Sequence, residues 1–454
     1  MASAGIRKTP SGRSKVWWRL DDGSQGSQTF DDNEQATRYL NKLRAQWDDG
    51  TWINPQRGRI SFNQWADEWW KTWSTHPRRS PNGLETTESN LRLHLRPTFG
   101  PKPLNVISHQ LVQRWQNQLE SKLGYSGVMA CRSLLNRILQ AAHDDNRIPS
   151  NPLRKVPPPQ RSVDPEKRFG RAKRHTLTPE EFGRFLAGCL PFYWDHFIVQ
   201  VGTGLRPSEL LGLRAHRIRR DLGHLEVLEV RYEAGRFGSG YKPWPKSNAS
   251  VRPTPIGDLV GEAIDRRLAS VADPHALAFP GPGGNRHARR GTGGGLSTGN
   301  YRRVYKAAVY EANQHSDPAD RLDHLELRGP HDLRRTYATW LEDAGIPSRV
   351  IDELMGHEGG RVERGVSPMG ALYRETTPEM LSRAMAAIDD RLAIALKVAA
   401  RLLPEVEERR RSRRGTKGRF VARSTLRLPG LLEELQQHLV VRLCYTVSRP
   451  PTAG

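Results

Sequence analysis

Four short segments between residues 203 and 378 carry side chains that could act on a phosphate group. In the first, Arg206 precedes Pro207, and proline suits the first position of a helix that would continue through Glu209. Arg206 would then project from the helix start, where free backbone N–H groups also favour anions. A capped helix with a surface arginine explains this segment when it is considered alone.

The second segment follows Pro330 and is predicted to be a helix. Its buried face would carry Leu333, Tyr337, Trp340 and Leu341. His331 and Arg334 are three residues apart and therefore lie on neighbouring faces, whereas Arg335 lies about 100° further round the helix and is the weaker candidate. A guanidinium fork suits bidentate phosphate contact, and a nearby imidazole can exchange a proton.

The third and fourth segments each end in one candidate side chain. A short helix from Ile346 should stop at Gly356 in the left-handed conformation, which leaves His357 just beyond the helix end. Tyr373 precedes a further helix, predicted from Glu379 to about Asp390. Taken singly, such a histidine would only sit near the helix dipole, and such a tyrosine would be an ordinary core or surface aromatic.

The elements that precede these segments predict two further domains. Residues 1–54 should contain strands at 15–20 and 27–30, followed by a helix through Gln46 that Asp31 or Asp32 caps. Residues 58–151 show helical periodicity throughout. Predicted helices there include 86–95, 108–123 and 127–146, and the aromatic residues assigned to the core include Trp65, Trp69, Trp70 and Trp73.

Two basic segments separate or follow the domains. Residues 152–174 contain Pro157–Pro159 among many basic residues and are interpreted as a solvated linker, which could also lie along DNA phosphates. The third domain spans 175–398 and begins with Thr178 capping a helix. Residues 399–454 form a basic tail in which Arg409–Arg414 is predicted to be disordered and 431–443 to be one more amphipathic helix.

Composition narrows the class of protein. The 454 residues carry a formal net charge of +22, which favours a polyanionic partner such as nucleic acid unless a few basic tails account for the excess. No apolar run is long enough for a membrane span, and no secretory signal is expected at the start. Three scattered cysteines favour a reducing cytosol, and no acidic or histidine cluster has metal-ligand spacing, so neither metal nor cofactor is expected.

One segment resembles a nucleotide-binding motif in its glycine content. Residues 281–295 are rich in glycine, but they lack the Gly-Lys-Ser/Thr ending of a phosphate-binding loop. They are interpreted as a basic flexible loop.

The ordered motifs Leu-Arg-Pro-Ser-Glu-Leu, His-Asp-Leu-Arg-Arg-Thr, Leu-Met-Gly-His and a following Tyr together resemble the tyrosine recombinases, the phage-type integrase family. The resemblance is good over residues 177–392. The helical domain resembles the core-binding domain of the family, and residues 1–54 resemble the arm-type DNA-binding domain of longer integrases. The resemblance therefore implies a multidomain, mainly α fold with small β-sheets: a β-sheet-plus-helix domain, a helical SAM-like domain and an α+β catalytic domain.

By this resemblance the catalytic set can be assigned residue by residue. Arg206 and Arg334 would be the two arginines, His331 and His357 the two histidines, Tyr373 the nucleophile and Lys246 the β-hairpin lysine, with Lys242 as the competing lysine. The match at Lys246 rests on a Pro-Lys-Ser sequence that leads into a strand with a basic residue six positions on. Glu209 would help to order the site. A glycine-rich insert at 358–370 is longer than the family usually shows and leaves the pose of Tyr373 open.

The implied function is site-specific DNA recombination through a 3′-phosphotyrosyl intermediate, without metal or ATP. It would integrate or excise a mobile element, and a phage is the first candidate. The substrates would be double-stranded DNA attachment sites bound by a homotetramer in the cytoplasm, at the nucleoid, with accessory DNA-bending and directionality proteins. Two alternatives stay open: a resolvase or transposase of another element with the same chemistry, and a non-catalytic basic DNA-binding protein.

Overall fold

The computed structural model describes residues 3–21, 23, 25–49, 54, 56–160, 174–243, 250–282, 295–357 and 376–414. The chain divides into two compact units, Met1–Arg168 and Phe169–Gly454. Across those described ranges, none of the helices combines the length and the apolar character that a membrane span requires. The finer five-part division of the chain stays a prediction.

The first unit begins with a three-stranded antiparallel sheet of β1 (Ser3–Lys8), β2 (Ser14–Arg19) and β3 (Gln25–Phe30), in that order. Helix α1 (Asn33–Asp48) follows, and of the two predicted caps it is Asp32 whose side chain accepts a hydrogen bond from the Gln35 amide. Two strands were predicted and three are present. Strand β1 was missed because Ile6 is its only large apolar residue, so it lacks a periodic signal.

Helices make up the rest of the first unit. They are α2 (Phe62–Ser74), α3 (Pro81–Asn90), a π-helical turn (Leu91–Leu95), α4 (Arg96–Phe99), α5 (His109–Glu120) and α6 (Tyr125–Asp144), with short 3₁₀ turns at Arg57–Arg59, Leu104–Val106 and Pro152–Lys155. Their apolar faces form one core, which includes Phe62, Trp65, Phe99, Trp115 and Leu135. Each predicted helix is present within a few residues, except that the first begins at Pro81 instead of 86.

The assignment of all four tryptophans of α2 to the core was wrong. Trp65 is buried in the core, and Trp69 packs against the core while partly exposed, but Trp70 and Trp73 are only partly covered. Trp69 and Trp73 stack with ring centroids 5.2 Å apart, and the Arg79 guanidinium lies 4.2 Å from the Trp73 ring centroid. Helical spacing places side chains on a shared face, but it cannot say whether another element covers that face.

The start of the predicted linker is packed instead of solvated. Leu153 and Val156 are buried in the helical core. The Gln116 and Arg132 side chains donate hydrogen bonds to the Pro157 carbonyl at 3.2 and 3.3 Å. A solvated linker can therefore begin only after this point, and residues 161–173 lie outside the described residues.

The second unit combines helices with two small antiparallel sheets. One sheet has the order β4 (Ile218–Arg219), β5 (His224–Val227), β8 (Arg252–Pro255), and the other pairs β6 (Val230–Glu233) with β7 (Ser239–Lys242). The helices are α7 (Pro179–Gly188), α8 (Trp194–Thr203), α9 (Pro207–Leu210), α10 (Asp258–Leu268), α11 (Thr298–Ala312), α12 (His331–Asp343), α13 (Ser348–Met355) and α14 (Pro378–Arg414), with 3₁₀ turns at Pro191–Tyr193, Ala215–Arg217, Arg220–Leu222, Gly235–Phe237 and Pro318–Asp320. The predicted mainly α fold with small sheets is confirmed.

Local sequence explains why the helices of this unit begin and end where they do. Thr178 and Glu181 form a capping box at the start of α7, as the Thr-Pro-Glu-Glu sequence predicts. The predicted buried face of α12 is confirmed, since Leu333, Tyr337, Trp340 and Leu341 are at most 1% exposed. These side chains belong to the main core of the unit and hold α12 against its neighbours.

The C-terminal helix corrects two expectations. It does not end near Asp390 but spans 37 residues, from Pro378 to Arg414, so residues 399–414 are part of this helix of the second unit and not of a tail. Leu402 and Val406 are buried beside Ala187. The Arg409–Arg414 block was predicted to be disordered, yet the Arg410 guanidinium donates to the Gly188 carbonyl at 2.8 Å.

Acidic partners explain why this like-charge block is helical. Arg409 pairs with Glu405 and Arg411 with Glu407, both four residues earlier in the helix, and Arg413 reaches Glu311 of α11 at 2.5 Å. Pairs at this spacing stabilise a helix. The prediction of disorder for Arg409–Arg414 took no account of these acidic partners. The helix predicted at 431–443 lies outside the described residues.

Candidate active site

A left-handed glycine places the first candidate arginine. Gly204 ends α8 with φ 62°, and a Cβ at this position would lie 2.5 Å from the Tyr337 ring, so a larger residue would both strain the turn and clash. The turn leaves Arg206 as the N-cap of α9. Glu209, one turn later, accepts hydrogen bonds from the Arg206 backbone N–H at 2.9 Å and from its Nη1 at 2.6 Å. Glu209 therefore contacts both the backbone and the side chain of Arg206.

Arg334 reaches the same carboxylate from helix α12. Its Nη1 donates to the Gly204 carbonyl at 2.6 Å and lies 3.8 Å from Glu209 Oε2, and its Nη2 donates to the Met355 carbonyl. Burial, together with the nearby Arg206 charge, lowers the pKa of Arg334 to about 10. At neutral pH the guanidinium is still charged, and it is held between the ends of α8 and α13.

His357 joins the cluster through the end of helix α13. Gly356 adopts the predicted left-handed conformation with φ 64°, which turns the chain so that the imidazole faces Arg334. His357 Nε2 lies 3.4 Å from Arg334 Nη2, and Nδ1 lies 2.8 Å from the Asp352 carboxylate. Asp352 thereby fixes which ring nitrogen points toward the arginine.

His331 is the first residue of α12 and remains exposed. Loss of solvation lowers its pKa below that of an ordinary histidine, and the charges of Arg334, Arg206 and Arg335 lower it in the same direction. Its imidazole is therefore neutral at neutral pH and able to accept a proton. Arg335 itself points away from the cluster toward Asp332, with 55% of its side chain exposed.

A third arginine was not singled out as a site residue in the sequence, although it is the basic residue six positions after Lys246. Arg252 lies in β8 and is only 8% exposed. Its Nε donates to the Leu354 carbonyl at 2.8 Å, its Nη1 donates to the Ser250 carbonyl at 3.1 Å, and its Nη2 lies 3.6 Å from Glu209 Oε2. One buried carboxylate thus faces three guanidinium groups.

The described part of the chain does not include two members of the predicted set. Lys246 and Tyr373 lie outside the described residues, as do the insert at 358–370 and most of the glycine-rich loop. The competing Lys242 ends strand β7 opposite Val230, and burial lowers its pKa. Both assignments therefore stay predictions.

The charges of the cluster suit an anionic substrate. Arg206, Arg252, Arg334 and Glu209 together leave a surplus of two positive charges beside a polarised imidazole. Such a preorganised set stabilises negative charge that develops on a phosphorus centre. Within the described ranges, no three His, Cys, Asp or Glu side chains lie close enough together to hold a metal ion.

Comparison with known proteins identifies two conserved modules in this chain. Residues 187–362 match the model of the phage integrase family, and residues 61–120 match the model of the N-terminal SAM-like domain of phage integrases. The first match contains Arg206, Arg252, Arg334 and His357. The second begins at the N-cap of α2.

Curated relatives are similar over long stretches at low identity. A XerC-like tyrosine recombinase of Caldanaerobacter subterraneus is 22% identical over 332 residues, which cover 69% of this chain and 78% of the relative. An integrase of Streptomyces ambofaciens is 23% identical over 60% of this chain and 67% of its own length. The transposase of transposon Tn916 from Enterococcus faecalis is 25% identical over 36% of this chain and 39% of its own length.

Solved structures agree in fold. The Tn1549 transposon integrase, in complex with a circular intermediate DNA, superposes with a TM-score of 0.53 at 20% identity and covers 72% of this chain and 99% of its own. This similarity supports the mainly helical architecture. The two family models and the curated relatives show that the chain belongs to the tyrosine recombinases, the phage integrase family of enzymes that break and rejoin DNA strands.

Proposed function

We propose that Arg206, Lys246, His331, Arg334, His357 and Tyr373 form the catalytic set of this recombinase, with Glu209 ordering the arginines. The observation that supports this most strongly is the convergence of Arg206 and Arg334 on the buried Glu209 carboxylate, with His357 Nε2 3.4 Å from Arg334 Nη2. Each of these three side chains comes from a different helix end, and packing brings them together. A fortuitous surface cluster would not need a buried counterion to hold it.

The proposed reaction is a transesterification at a DNA phosphodiester. The Tyr373 oxygen attacks phosphorus, the bond to the 5′-oxygen breaks, and a 3′-phosphotyrosyl ester forms. Arg206 and Arg334 neutralise the non-bridging oxygens, and His357 donates a further hydrogen bond. His331 accepts the phenol proton, and Lys246 donates a proton to the departing 5′-oxygen. No proton or electron is left unbalanced.

The covalent ester conserves the energy of the broken bond. A 5′-hydroxyl from another strand can therefore attack the phosphotyrosine and reverse the step, which is strand exchange instead of hydrolysis. Neither ATP nor a metal ion is required, because side chains supply all the charge neutralisation.

We infer that the enzyme integrates or excises a mobile element, with a phage as the first candidate. The similarity to an integrase of Streptomyces ambofaciens supports this. A transposon is the second candidate, favoured by the Tn916 transposase and by the fold of the Tn1549 integrase. A homotetramer would assemble on double-stranded attachment sites in the cytoplasm, at the nucleoid, with accessory bending and directionality proteins.

The domain roles belong to the same proposal. Residues 1–54 would bind arm-type DNA and residues 58–151 core-type DNA, and the SAM-like match within the latter supports that role. Residues 175–398 would carry the catalytic set. The basic stretches at 152–174 and beyond Arg414 would contact the phosphate backbone without reading bases.

A covalent-trapping experiment tests the proposal. The full chain is incubated with nicked duplexes that carry its attachment site, in which the nick lets the leaving strand diffuse away, and is resolved on a denaturing gel. The wild-type chain should form a covalent protein–DNA band, and Tyr373→Phe should form none, because it lacks the attacking oxygen.

Tyr310→Phe provides the matched control, since Tyr310 is 59% exposed on α11 and outside the proposed set. It should form the wild-type amount of adduct. A non-catalytic DNA-binding protein would shift the duplex on a native gel but would give no covalent band with any variant. The same band with Tyr373→Phe would assign the nucleophile to another residue.

A further inference from the structure

Arg252 occupies a position that the proposed catalytic set does not explain. It is nearly as buried as Arg334, at 8% against 5% exposed, and its Nε, Nη1 and Nη2 all face oxygen atoms of the protein. Burying an arginine costs free energy unless charge and hydrogen bonds compensate for it. Burial lowers the pKa of Arg252, and Glu209 acts in the opposite direction.

The contacts of Arg252 join three separate parts of the site. Its Nε binds the Leu354 carbonyl at the end of α13, one residue before the Met355 carbonyl that Arg334 binds. Its Nη2 faces the same Glu209 oxygen that accepts from the Arg206 backbone. Its Nη1 returns to the Ser250 carbonyl, at the point where the chain emerges from the Lys246 segment.

The Ser250 side chain adds a second link. Arg206 Nη1 lies 3.1 Å from Ser250 Oγ, so the residue whose carbonyl binds Arg252 also contacts the first proposed catalytic arginine. The carbonyl and the hydroxyl group of Ser250 therefore each contact an arginine of the cluster. A displacement of Arg252 would therefore also shift Arg206, because Ser250 and Glu209 contact both arginines.

We propose that Arg252 is a positioning residue: it holds Glu209, the end of α13 and the Ser250 turn in one arrangement, and so orients Arg206 and Arg334 toward the scissile phosphate. This inference rests on the proposed function of those two arginines. It adds a residue that acts on the reaction without touching substrate.

A substrate with a neutral scissile linkage separates positioning from general stability. Replacing one non-bridging oxygen of the scissile phosphate with a methyl group removes the negative charge that the arginines neutralise. On ordinary DNA at saturating concentration, Arg252→Met should slow covalent complex formation by about tenfold or more. On the methylphosphonate duplex, its rate relative to wild type should return to within about threefold, because misplaced arginines matter little there.

Two further variants keep the test decisive. Arg267→Met removes another buried arginine, which lies over the Phe192 ring at 4.6 Å and outside the site, and should lower the melting temperature with no substrate-dependent change in rate. Arg252→Lys keeps the charge but cannot make all the contacts, and it should show a smaller defect with the same dependence on substrate. It replaces Arg252→Met if circular dichroism shows that the latter does not fold.

The outcomes distinguish this inference from the proposed function. If the wild-type chain forms no adduct on ordinary DNA, the proposed function fails whatever Arg252 does. If wild type reacts and the folded Arg252 variants react equally fast, or are slowed by the same factor on both substrates, the positioning role is wrong.

Discussion

His331 links the electrostatics of the cluster to a measurable pH dependence. Because its pKa is lowered, the imidazole stays neutral as pH falls to the ordinary histidine value of about 6.5, and it becomes protonated only below that. The protonated ring cannot accept the Tyr373 proton. We expect the rate of covalent complex formation at limiting DNA, which reports ionisation of the free enzyme, to fall on acidification with an inflection below about pH 6.5.

The matched variant for this measurement is His331→Asn, which keeps a polar side chain without a titrating group. Its rate should be lower at neutral pH and should lack that inflection. A wild-type profile that stays flat through the acidic range would contradict the role of His331. Persistence of the inflection in the variant would assign it to another group.

Glu209 is the residue on which the cluster depends most. Glu209→Gln leaves three guanidinium groups close together with no carboxylate, and removal of one partner from a buried ion pair typically costs about 3–5 kcal/mol. We expect the free energy of unfolding, measured by denaturant titration, to fall by about that amount. Covalent complex formation should fall as well, because Arg206 and Arg334 lose their common anchor.

Glu226→Gln is the control for this substitution. Glu226 pairs with Arg217 at 3.1 Å, but both side chains are about one-third exposed, so the loss should stay below about 1 kcal/mol. Equal losses of unfolding free energy in the two variants would mean that Glu209 has no special role.

At the scale of elements, the close packing of α7 against α14 depends on a glycine. Gly183 of α7 leaves room for α14, since a Cβ there would lie 2.7 Å from Val398 Cβ and would also meet the Ala395 carbonyl. In an open helix, Gly→Ala stabilises by about 1 kcal/mol. Here the clash should reverse the sign, and we expect Gly183→Ala to lower the free energy of unfolding by about 1–3 kcal/mol.

Gly299→Ala measures the propensity effect without the clash. Gly299 is exposed near the start of α11, and the nearest atom to a Cβ there is Ser297 Oγ at 3.8 Å. The free energy of unfolding of this variant should equal or exceed that of wild type. Thermal and denaturant titrations of both glycine variants measure it. Stabilisation by both substitutions would show that α7 and α14 can separate without cost.

Elements also show where sequence patterns were sufficient. The start of α7 was predicted from Thr178 and Pro179, because a helix cap is formed within four residues, here with Glu181 completing a capping box. The length of α14 was not, because its last turns are stabilised by Glu311 and the Gly188 carbonyl, which are distant in sequence. Glu405 and Glu407 lie only four residues before Arg409 and Arg411, but the groups that hold the block against other elements are distant in the sequence, so the block was predicted to be disordered.

For the whole molecule, the dependence of the reaction on metal ions is the broadest test of the proposed mechanism. In that mechanism, side chains supply the positive charge that a two-metal nuclease would obtain from its ions. Covalent complex formation and strand joining should therefore continue unchanged in excess EDTA. A restriction endonuclease that requires Mg²⁺, incubated in the same buffer, serves as the control for complete chelation, and loss of adduct formation in EDTA would favour a metal-dependent nuclease.

The net charge of +22 can now be divided more finely than the sequence allowed. Arg206, Arg252 and Arg334 surround one carboxylate in the catalytic unit. Arg410 and Arg413 contact the Gly188 carbonyl and Glu311 and so help to hold the C-terminal helix against its neighbours. Cations such as these contribute to stability as well as to charge, so neutralising the Arg409–Arg414 block would also weaken the docking of α14.

What the sequence determined by itself was local. Caps, left-handed glycines and the 3.6-residue period placed helix ends at Asp31 or Asp32, at Thr178 and at Gly356, because the interactions involved lie within a few residues. The order of short motifs was also enough to indicate the family. These features depend on neighbouring residues alone, so they can be read before any packing is known.

Only the tertiary structure decided which cations meet at Glu209, which tryptophans of α2 are covered, and where α14 ends. Arg252 illustrates the reason. Its role depends on Glu209 and on the Leu354 carbonyl, which reach it from other elements of the fold. Burial and charge pairing depend on which surfaces pack together, and a spacing pattern along one segment carries no information about the element that packs against it.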